Sequence, residues 1–311
     1  MDRFQIVALC VGVLGAAVVL EIAVLIYAYL RRQSPRRAPS SRTTLRRLNG
    51  SRFWFRRVLA VVDSEQLEPA QRREAYVQVL IQRRIDERTA VAAAMGIAEL
   101  EAPAAARLIL HAVDDGRLPA FAGAAALAQA IPIVEEGLAA LLVSGELGGK
   151  AKRVGIATLG ERGGEPSIRA LVVLLTMEQE TSMRLAVTRA LLGCVVRGGR
   201  LPRQVCPRLT TDPSPQIRAE AALLAAASMG DPAAHLLFPM LADVSGAVAQ
   251  RAARAICDLP TGLGMVRRFL SAPPNPIESW GRARGFLIAE ISLRAPQRAA
   301  VPEPLEPVAH A

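Results

Sequence analysis

The sequence has few of the side chains that enzymes commonly use for acid–base chemistry, nucleophilic attack or metal binding. Its 311 residues include 3 His, 3 Tyr and 4 Cys, and aromatic residues make up 4% of the chain. No two cysteines have the spacing of a metal site, and no His lies near a Ser, Asp or Cys constellation in the sequence. These absences argue against a disulfide scaffold and a zinc module. We expect no catalysis and no cofactor, and we expect buried cysteines that act as small hydrophobic residues.

Strand patterns are also absent, because β-branched residues do not alternate with polar ones over any useful length. From Glu68 to Ala295 the chain is rich in Ala, Leu, Val and Arg, and Gly, Pro and Asp separate helical segments of about 10 to 18 residues. The sequence therefore predicts an all-α fold.

The basic charge of the chain is concentrated in one segment. Lys and Arg number 38 against 28 Asp and Glu, which gives a net charge of +10. Ten arginines and no acid lie between residues 31 and 57, so the rest of the chain is electrically balanced. A basic surface typical of nucleic-acid-binding proteins is therefore not indicated, and we expect no nucleic-acid partner.

A long apolar run, residues 6–30, contains a single charge, Glu21. As a helix it is long enough to cross the roughly 30 Å hydrocarbon core of a bilayer. The arginines that follow predict, by the positive-inside rule, an outside N-terminus and residues 31–311 in the cytoplasm. A cleaved signal peptide is the alternative, but Tyr29 and Leu30 end the run where a small-residue cleavage site would be needed. We expect a single-pass anchor in the inner (cytoplasmic) membrane.

Glu21 lies ten residues before Arg31, which places it near mid-bilayer if Arg31 marks the interface. An acid at that depth costs roughly 3 kcal/mol even on lenient scales. It either pairs with another transmembrane helix or is protonated and has no role. The following segment, 31–57, lies beside anionic lipid, which attracts basic residues. The lipid-proximal residues we predict are Arg31, Arg32, Arg36, Arg37 and Trp54.

Repeated helical units follow the basic segment. The clearest unit begins at Asp212-Pro213-Ser214-Pro215, continues through Ile217-Arg218, and closes at Gly230-Asp231-Pro232 before a second apolar helix. It resembles the HEAT repeat, whose consensus has an Asp-containing turn, a Val/Ile-Arg step and a second helix rich in small residues. Counting from the Arg position gives a series with spacings of 34, 31, 31, 34 and 31 residues: Arg88, Ala122, Arg153, Arg184, Arg218 and Ala249.

The resemblance covers about residues 69–260 and implies an α-solenoid of about six HEAT-like hairpins that share one elongated core. In HEAT proteins the arginine of the series usually pairs with the turn Asp and connects neighbouring repeats. The resemblance thus makes Asp212 and Arg218 parts of a structural ladder, and a row of ligand-binding arginines is the alternative. The predicted segments are an anchor (1–30), a basic juxtamembrane linker (31–57), a HEAT-like solenoid (58–295) and a disordered Pro-rich tail (296–311).

In HEAT-like stacking the helices of the arginine series line the concave face, where polar residues of this chain are mostly basic. That charge predicts a groove for an acidic protein segment, and a solvated face with intramolecular pairs is the alternative. The candidate partner-binding residues are Glu21, Lys150, Lys152, Arg153, Arg184 and Arg189.

The function we expect is that of a non-catalytic scaffold or adaptor, which binds a protein partner, a membrane protein or complex, at the cytoplasmic side of the membrane. A narrower alternative is an accessory subunit of a membrane-bound envelope polysaccharide or glycosyltransferase assembly. The enzymatic alternative is a bilin-lyase-like or other HEAT-repeat enzyme, against which the scarcity of His and Tyr argues.

Overall fold

The structure is a computed structural model that describes residues 68–82, 86–100, 102–129, 134–272 and 278–299. Over these ranges the chain forms fourteen α-helices and one 3-10 helix (Asp231–Ala233) and contains no β-strand, which confirms the predicted all-α class. The α-helices are α1 (Pro69–Ile81), α2 (Glu87–Leu100), α3 (Ala102–Asp114), α4 (Ala120–Gln129), α5 (Val134–Val143), α6 (Gly149–Arg162), α7 (Glu165–Met177), α8 (Thr181–Val196), α9 (Val205–Thr210), α10 (Pro215–Met229), α11 (Ala234–Met240), α12 (Gly246–Asp258), α13 (Gly262–Ser271) and α14 (Glu278–Ala299).

The chain divides into two compact units, Met1–Gly155 and Ile156–Ala311. In the first unit α2 contacts α1, α3 and α4, and α3 also contacts α1, α4 and α5. In the second unit α10 contacts α8, α9, α11 and α12, and α12 contacts α11, α13 and α14 as well. A helix thus packs against the helix that follows it in the sequence and against the second helix after it. Each unit is a two-layered helical stack, an arrangement compatible with a helical solenoid.

Within each unit we call the even-numbered helices the even layer and the odd-numbered helices the odd layer. The core of each unit lies between its two layers and is built from aliphatic side chains at helical spacing. In α10, for example, Ile217, Ala221 and Leu224 recur every three or four residues and are all fully buried. Cys194, Cys206 and Cys257 are free and buried, which confirms the prediction for these three cysteines. Burial raises the pKa of the Cys206 and Cys257 thiols.

The even helices begin at residues 87, 120, 149, 181, 215 and 246, so they recur every 29 to 34 residues. Arg184, Arg218 and Ala249 are each the fourth residue of their helix, as a regular repeat requires. Arg153 is the fifth residue of α6 and Arg88 is the second residue of α2, so the series inferred from the sequence drifts in the earlier repeats.

Helix α14 ends the array in the second unit and packs against α12 and α13. Its Leu287 is fully buried, as expected of a helix that covers the end of a core. The helix continues through Pro296 to Ala299, although the sequence predicted that the solenoid ends at residue 295. A proline near a helix C-terminus removes one intrahelical hydrogen bond and need not end the helix at once.

The predicted span at residues 6–30 and the basic linker at 31–57 lie outside the described residues, so both stay predictions. Among the helices that the structure does describe, none combines the length and the apolar character needed to cross a membrane.

Helices α6 and α8 cross at very short distance within the second unit. A Cβ atom added at Gly160 would lie 2.7 Å from the Cα atom of Ala190, and one added at Gly193 would lie 2.8 Å from the backbone oxygen of Gly160. The thiol of Cys194 lies 3.6 Å from the backbone oxygen of Leu159 in the same crossing. Both glycines are therefore required by backbone proximity, which no side-chain rotation could relieve.

The substitution Gly160→Ala is expected to lower the free energy of unfolding by about 1 to 3 kcal/mol, because the added methyl group overlaps the α8 backbone. The matched control is Gly264→Ala in α13, where an added Cβ meets nothing within 4 Å. That control should be neutral or stabilising by up to about 1 kcal/mol, because alanine has the higher helix propensity. Urea unfolding of the purified chain, followed by circular dichroism, measures the change in stability of both variants. Equal effects would contradict the close approach of α6 and α8 at Gly160.

Candidate functional site

Asp243 connects two successive even helices of the second unit. Its carboxylate accepts hydrogen bonds from Arg218 of α10, from Nε at 2.8 Å and from Nη2 at 2.9 Å. The same carboxylate accepts the backbone N–H of Ser245 at 2.8 Å, directly before α12. The Arg218 and Asp243 side chains are 15% and 12% exposed, so this bidentate pair is largely removed from solvent.

An equivalent pair lies one repeat earlier. Arg184 of α8 donates to the Asp212 carboxylate at 3.3 Å, and Asp212 accepts the backbone N–H of Ser214 at 2.8 Å, directly before α10. Arg184 also donates to the backbone oxygen of Gln179 at 2.7 Å. Each arginine therefore reaches forward to the carboxylate in the turn of the following repeat.

The side chains of Asp212 and Arg218, which the sequence analysis placed in one ladder, belong to successive pairs and do not pair with each other. Arg218 instead donates from Nη1 to the backbone oxygens of Asp212 at 2.8 Å and Pro213 at 3.1 Å. The carboxylate that it binds is the one in the next turn, that of Asp243. The carboxylate of each turn faces the preceding even helix, so each of these pairs joins two successive repeats.

The Arg218–Asp243 pair changes the protonation equilibria of both groups. Burial alone raises the pKa of Asp243, but hydrogen bonds from Arg218 and from the Ser245 N–H outweigh it, so the pKa is lowered below the ordinary value. The hydrogen bond to Asp243 raises the pKa of Arg218. Both shifts favour the charged forms, as expected of a pair that stabilises the fold.

In the first unit an acid from a distant part of the sequence takes the corresponding position. The turn before α6 contains Glu146, but its carboxylate pairs with Arg107 of α3, and Asp114 at the end of α3 supplies the carboxylate that binds the backbone at the start of α6. Its Oδ2 accepts the N–H of Gly148 at 2.6 Å, and its Oδ1 accepts the N–H of Ala151 at 2.9 Å. A Cβ at Gly148 would lie 2.9 Å from the Asp114 carboxylate, so glycine permits this approach.

The outward surface of the even layer carries a row of charged and apolar side chains across α8, α10 and α12. Arg189 of α8 is 61% exposed and donates from Nε to the Glu220 carboxylate of α10 at 3.1 Å. On α12, Arg251 and Arg254 are exposed, and neither forms a hydrogen bond through its side chain or an ion pair with any residue in the described ranges. Arg189, Leu223 and Arg254 are each the ninth residue of their helix, so they occupy equivalent positions.

The residues predicted to bind a partner differ in how exposed they are and in whether they are already paired. Arg184 is only 16% exposed and is bound to Asp212, which leaves little of it available to another protein. Lys150 and Arg153 are exposed in the first half of α6, and Lys152 is half-buried there. Glu21 and the lipid-proximal residues lie outside the described part of the chain: Arg31, Arg32, Arg36, Arg37 and Trp54.

A scan against protein-family models matches no family, and a search of curated proteins finds no significant match.

The substitution Asp243→Asn is expected to destabilise the chain by about 2 kcal/mol at pH 7, because it removes a charge-assisted pair. Since the folded-state pKa of Asp243 is lowered, its contribution is present above the unfolded-state value of about 3.9 and is lost as the pH falls through the folded value. The difference between variant and wild type should therefore shrink below about pH 4, as measured by urea unfolding across that range.

The matched control is Asp258→Asn, which breaks the 2.7 Å pair with Arg294 at a carboxylate that is 52% exposed. Exposed pairs contribute little, so a loss of less than about 1 kcal/mol is expected. An Asp243 variant as stable as wild type at pH 7, or a gap unchanged at pH 3, would refute the assigned role.

Proposed function

We propose that this chain is a HEAT-like repeat protein that binds an acidic segment of a protein partner through the even layer of its second unit, with no catalysis of its own. The HEAT-like assignment is supported by the 29- to 34-residue recurrence of the even helices and by the pairing of Arg184 and of Arg218 with the turn carboxylate of the next repeat. A stack of this kind offers a long surface and no inherent chemistry, so binding is the function that the fold favours.

The observation that carries the proposal is the imbalance of charge on the outward surface of the even layer. Helices α8, α10 and α12 contain two acids, Glu220 and Asp258, and both are bound to arginines. Arg251 and Arg254 lie one turn apart on α12 and have no partner among the described residues. The surface therefore presents positive charge that no acid of these three helices neutralises.

Apolar surface lies between these charges. Leu223 of α10 is half-buried and takes the position equivalent to Arg189 on α8 and Arg254 on α12. Neighbouring packed helices lie about 8 to 10 Å apart, so the row spans roughly 20 Å. An extended or helical segment that has acidic side chains on either side of an apolar one would complement it.

The odd layer of the same unit presents a different pattern. Arg267 and Arg268 of α13 are also exposed, but adjacent residues of a helix point in different directions and do not form one patch. Arg169 of α7 is paired with Glu165 at 3.1 Å. The two layers thus provide a test surface and a control surface in one molecule.

The proposal includes attachment to a membrane through residues 6–30, with the repeats in the cytoplasm. The apolar length of that run and the arginines after it support this attachment. A tethered binding surface has a high effective concentration toward other proteins of the same membrane, so we propose that the partner is a membrane protein or complex.

The double substitution Arg251→Glu and Arg254→Glu is expected to reduce partner capture about 10-fold or more, because it replaces attraction by repulsion on the proposed surface. Quantitative mass spectrometry of proteins that co-purify with the tagged full chain, in mild detergent, measures this capture.

The control is the charge-matched pair Arg267→Glu and Arg268→Glu, which should leave capture within about 2-fold of wild type, since rim or distant charges contribute little. Equal losses of capture in the two double variants would show non-specific charge attraction. Unchanged capture by the Arg251→Glu and Arg254→Glu variant would contradict binding at the even-layer surface.

A further inference from the structure

A cleft of about 490 Å³ opens in the first unit, where the turn between α3 and α4 meets the first turns of α2 and α6. Gly116 lies in this turn with φ of +70°, a conformation that favours glycine, and it allows the chain to reverse after α3. The volume lies within the range of small-molecule sites in proteins, which is about 300 to 1,000 Å³. The cleft shares no residue with the even-layer surface proposed above.

Two of the four charged side chains in the cleft neutralise each other. Arg117 forms an ion pair with Asp115 and also donates to the backbone oxygen of Leu80 of α1. The Arg117 side chain is 15% exposed, so it forms part of the cleft wall and is held in place.

The other two charges remain available. Glu87, in the first turn of α2, and Lys150, in the first turn of α6, both line the cleft and are exposed. Neither makes a side-chain hydrogen bond or an ion pair with any residue that the structure describes. Among the described residues, the cleft thus offers one carboxylate and one ammonium group that have no partner in the chain.

Apolar side chains form the remaining wall. Val113 and Leu118, each at most 2% exposed, form the base of the cleft, and Pro119 and Ala120 present its accessible apolar surface. These side chains are held by the core of the unit, so the wall is formed before any ligand binds. An aliphatic group of a ligand would gain burial against it.

We propose that this cleft binds a small zwitterionic ligand, an α-amino acid or short peptide with one ammonium group, one carboxylate and an aliphatic body. The ammonium group is bound by Glu87 and the carboxylate by Lys150, while the aliphatic body contacts Pro119 and Ala120 above the buried Val113 and Leu118. A simple anion would be attracted by Lys150 but repelled by Glu87, and a simple cation would meet the reverse. Only a ligand that carries both charges is complementary to both groups.

The probe for this site is the dipeptide L-leucyl-L-leucine, titrated into the full chain and followed by saturation-transfer-difference NMR. N-acetyl-leucyl-leucine and leucyl-leucine amide each lack one charge and should bind at least 5-fold more weakly. Glu87→Gln and Lys150→Met should each weaken binding of the dipeptide at least 5-fold, because each removes one charge partner. Glu136→Gln, at an exposed position outside the cleft, should leave binding unchanged.

Exchanging the charges of Glu87 and Lys150 tests whether each of them binds one charged group of the ligand or whether they only neutralise each other. Lys150→Glu alone places a carboxylate at both of these positions and should abolish binding. The double variant Glu87→Lys with Lys150→Glu should recover part of it, because a zwitterion can bind in the opposite direction. Absence of dipeptide binding, or equal binding of the dipeptide and its two singly charged analogues, would overturn the proposal. The Arg251→Glu and Arg254→Glu variant should bind the dipeptide as wild type does, so failure of either proposal is recognised separately.

Discussion

The fold of both units depends on carboxylates that satisfy the backbone at the start of an even helix. The first amides of a helix have no intrahelical acceptor, and the helix dipole favours a negative charge beside them. Asp243 and Asp212 accept the N–H of the residue directly before an even helix, and each also binds an arginine of the preceding even helix. One carboxylate thus begins a helix and fixes its position relative to the helix before it. In the first unit Asp114 of α3 accepts the N–H groups of Gly148, directly before α6, and of Ala151 in its first turn, and performs the first of these tasks.

This use of charge for packing determines which charges remain for function. Arg184 and Arg218 are largely buried in the pairs that join successive hairpins, so they contribute little to the outward surface. Arg251 and Arg254 take part in no such pair among the described residues and stay exposed. An arginine-rich sequence therefore overstates the basic surface, since part of its charge is structural. The same distinction separates Arg117, which belongs to the wall of the cleft, from Lys150, which is free to bind a ligand.

The sequence alone predicted the helical class, the recurrence of the hairpins and the structural use of Arg218, because periodic apolar residues and proline or glycine at helix ends are local signals. It could not assign Arg218 to Asp243, because the partner depends on how successive repeats stack. The role of Asp114 as a hydrogen-bond acceptor for α6 could not be predicted either, because 34 residues separate it from Gly148. One signal was present: Gly148 stands directly before α6, where Ser214 and Ser245 stand before α10 and α12, and glycine leaves room for a carboxylate from elsewhere. The cleft depends on three separate segments and has no sequence pattern.

Hydrogen exchange of the first turn of α6 tests most directly whether carboxylates from another repeat hold the even helices in place. In the variant Asp114→Ala the amides of Gly148 and Ala151 should exchange about 10-fold faster, which corresponds to the loss of a helix cap worth about 1.4 kcal/mol. The effect should appear 34 or more residues from the substitution, with little change in the amides of α3 itself. Faster exchange confined to α3, with the first turn of α6 unchanged, would contradict the account.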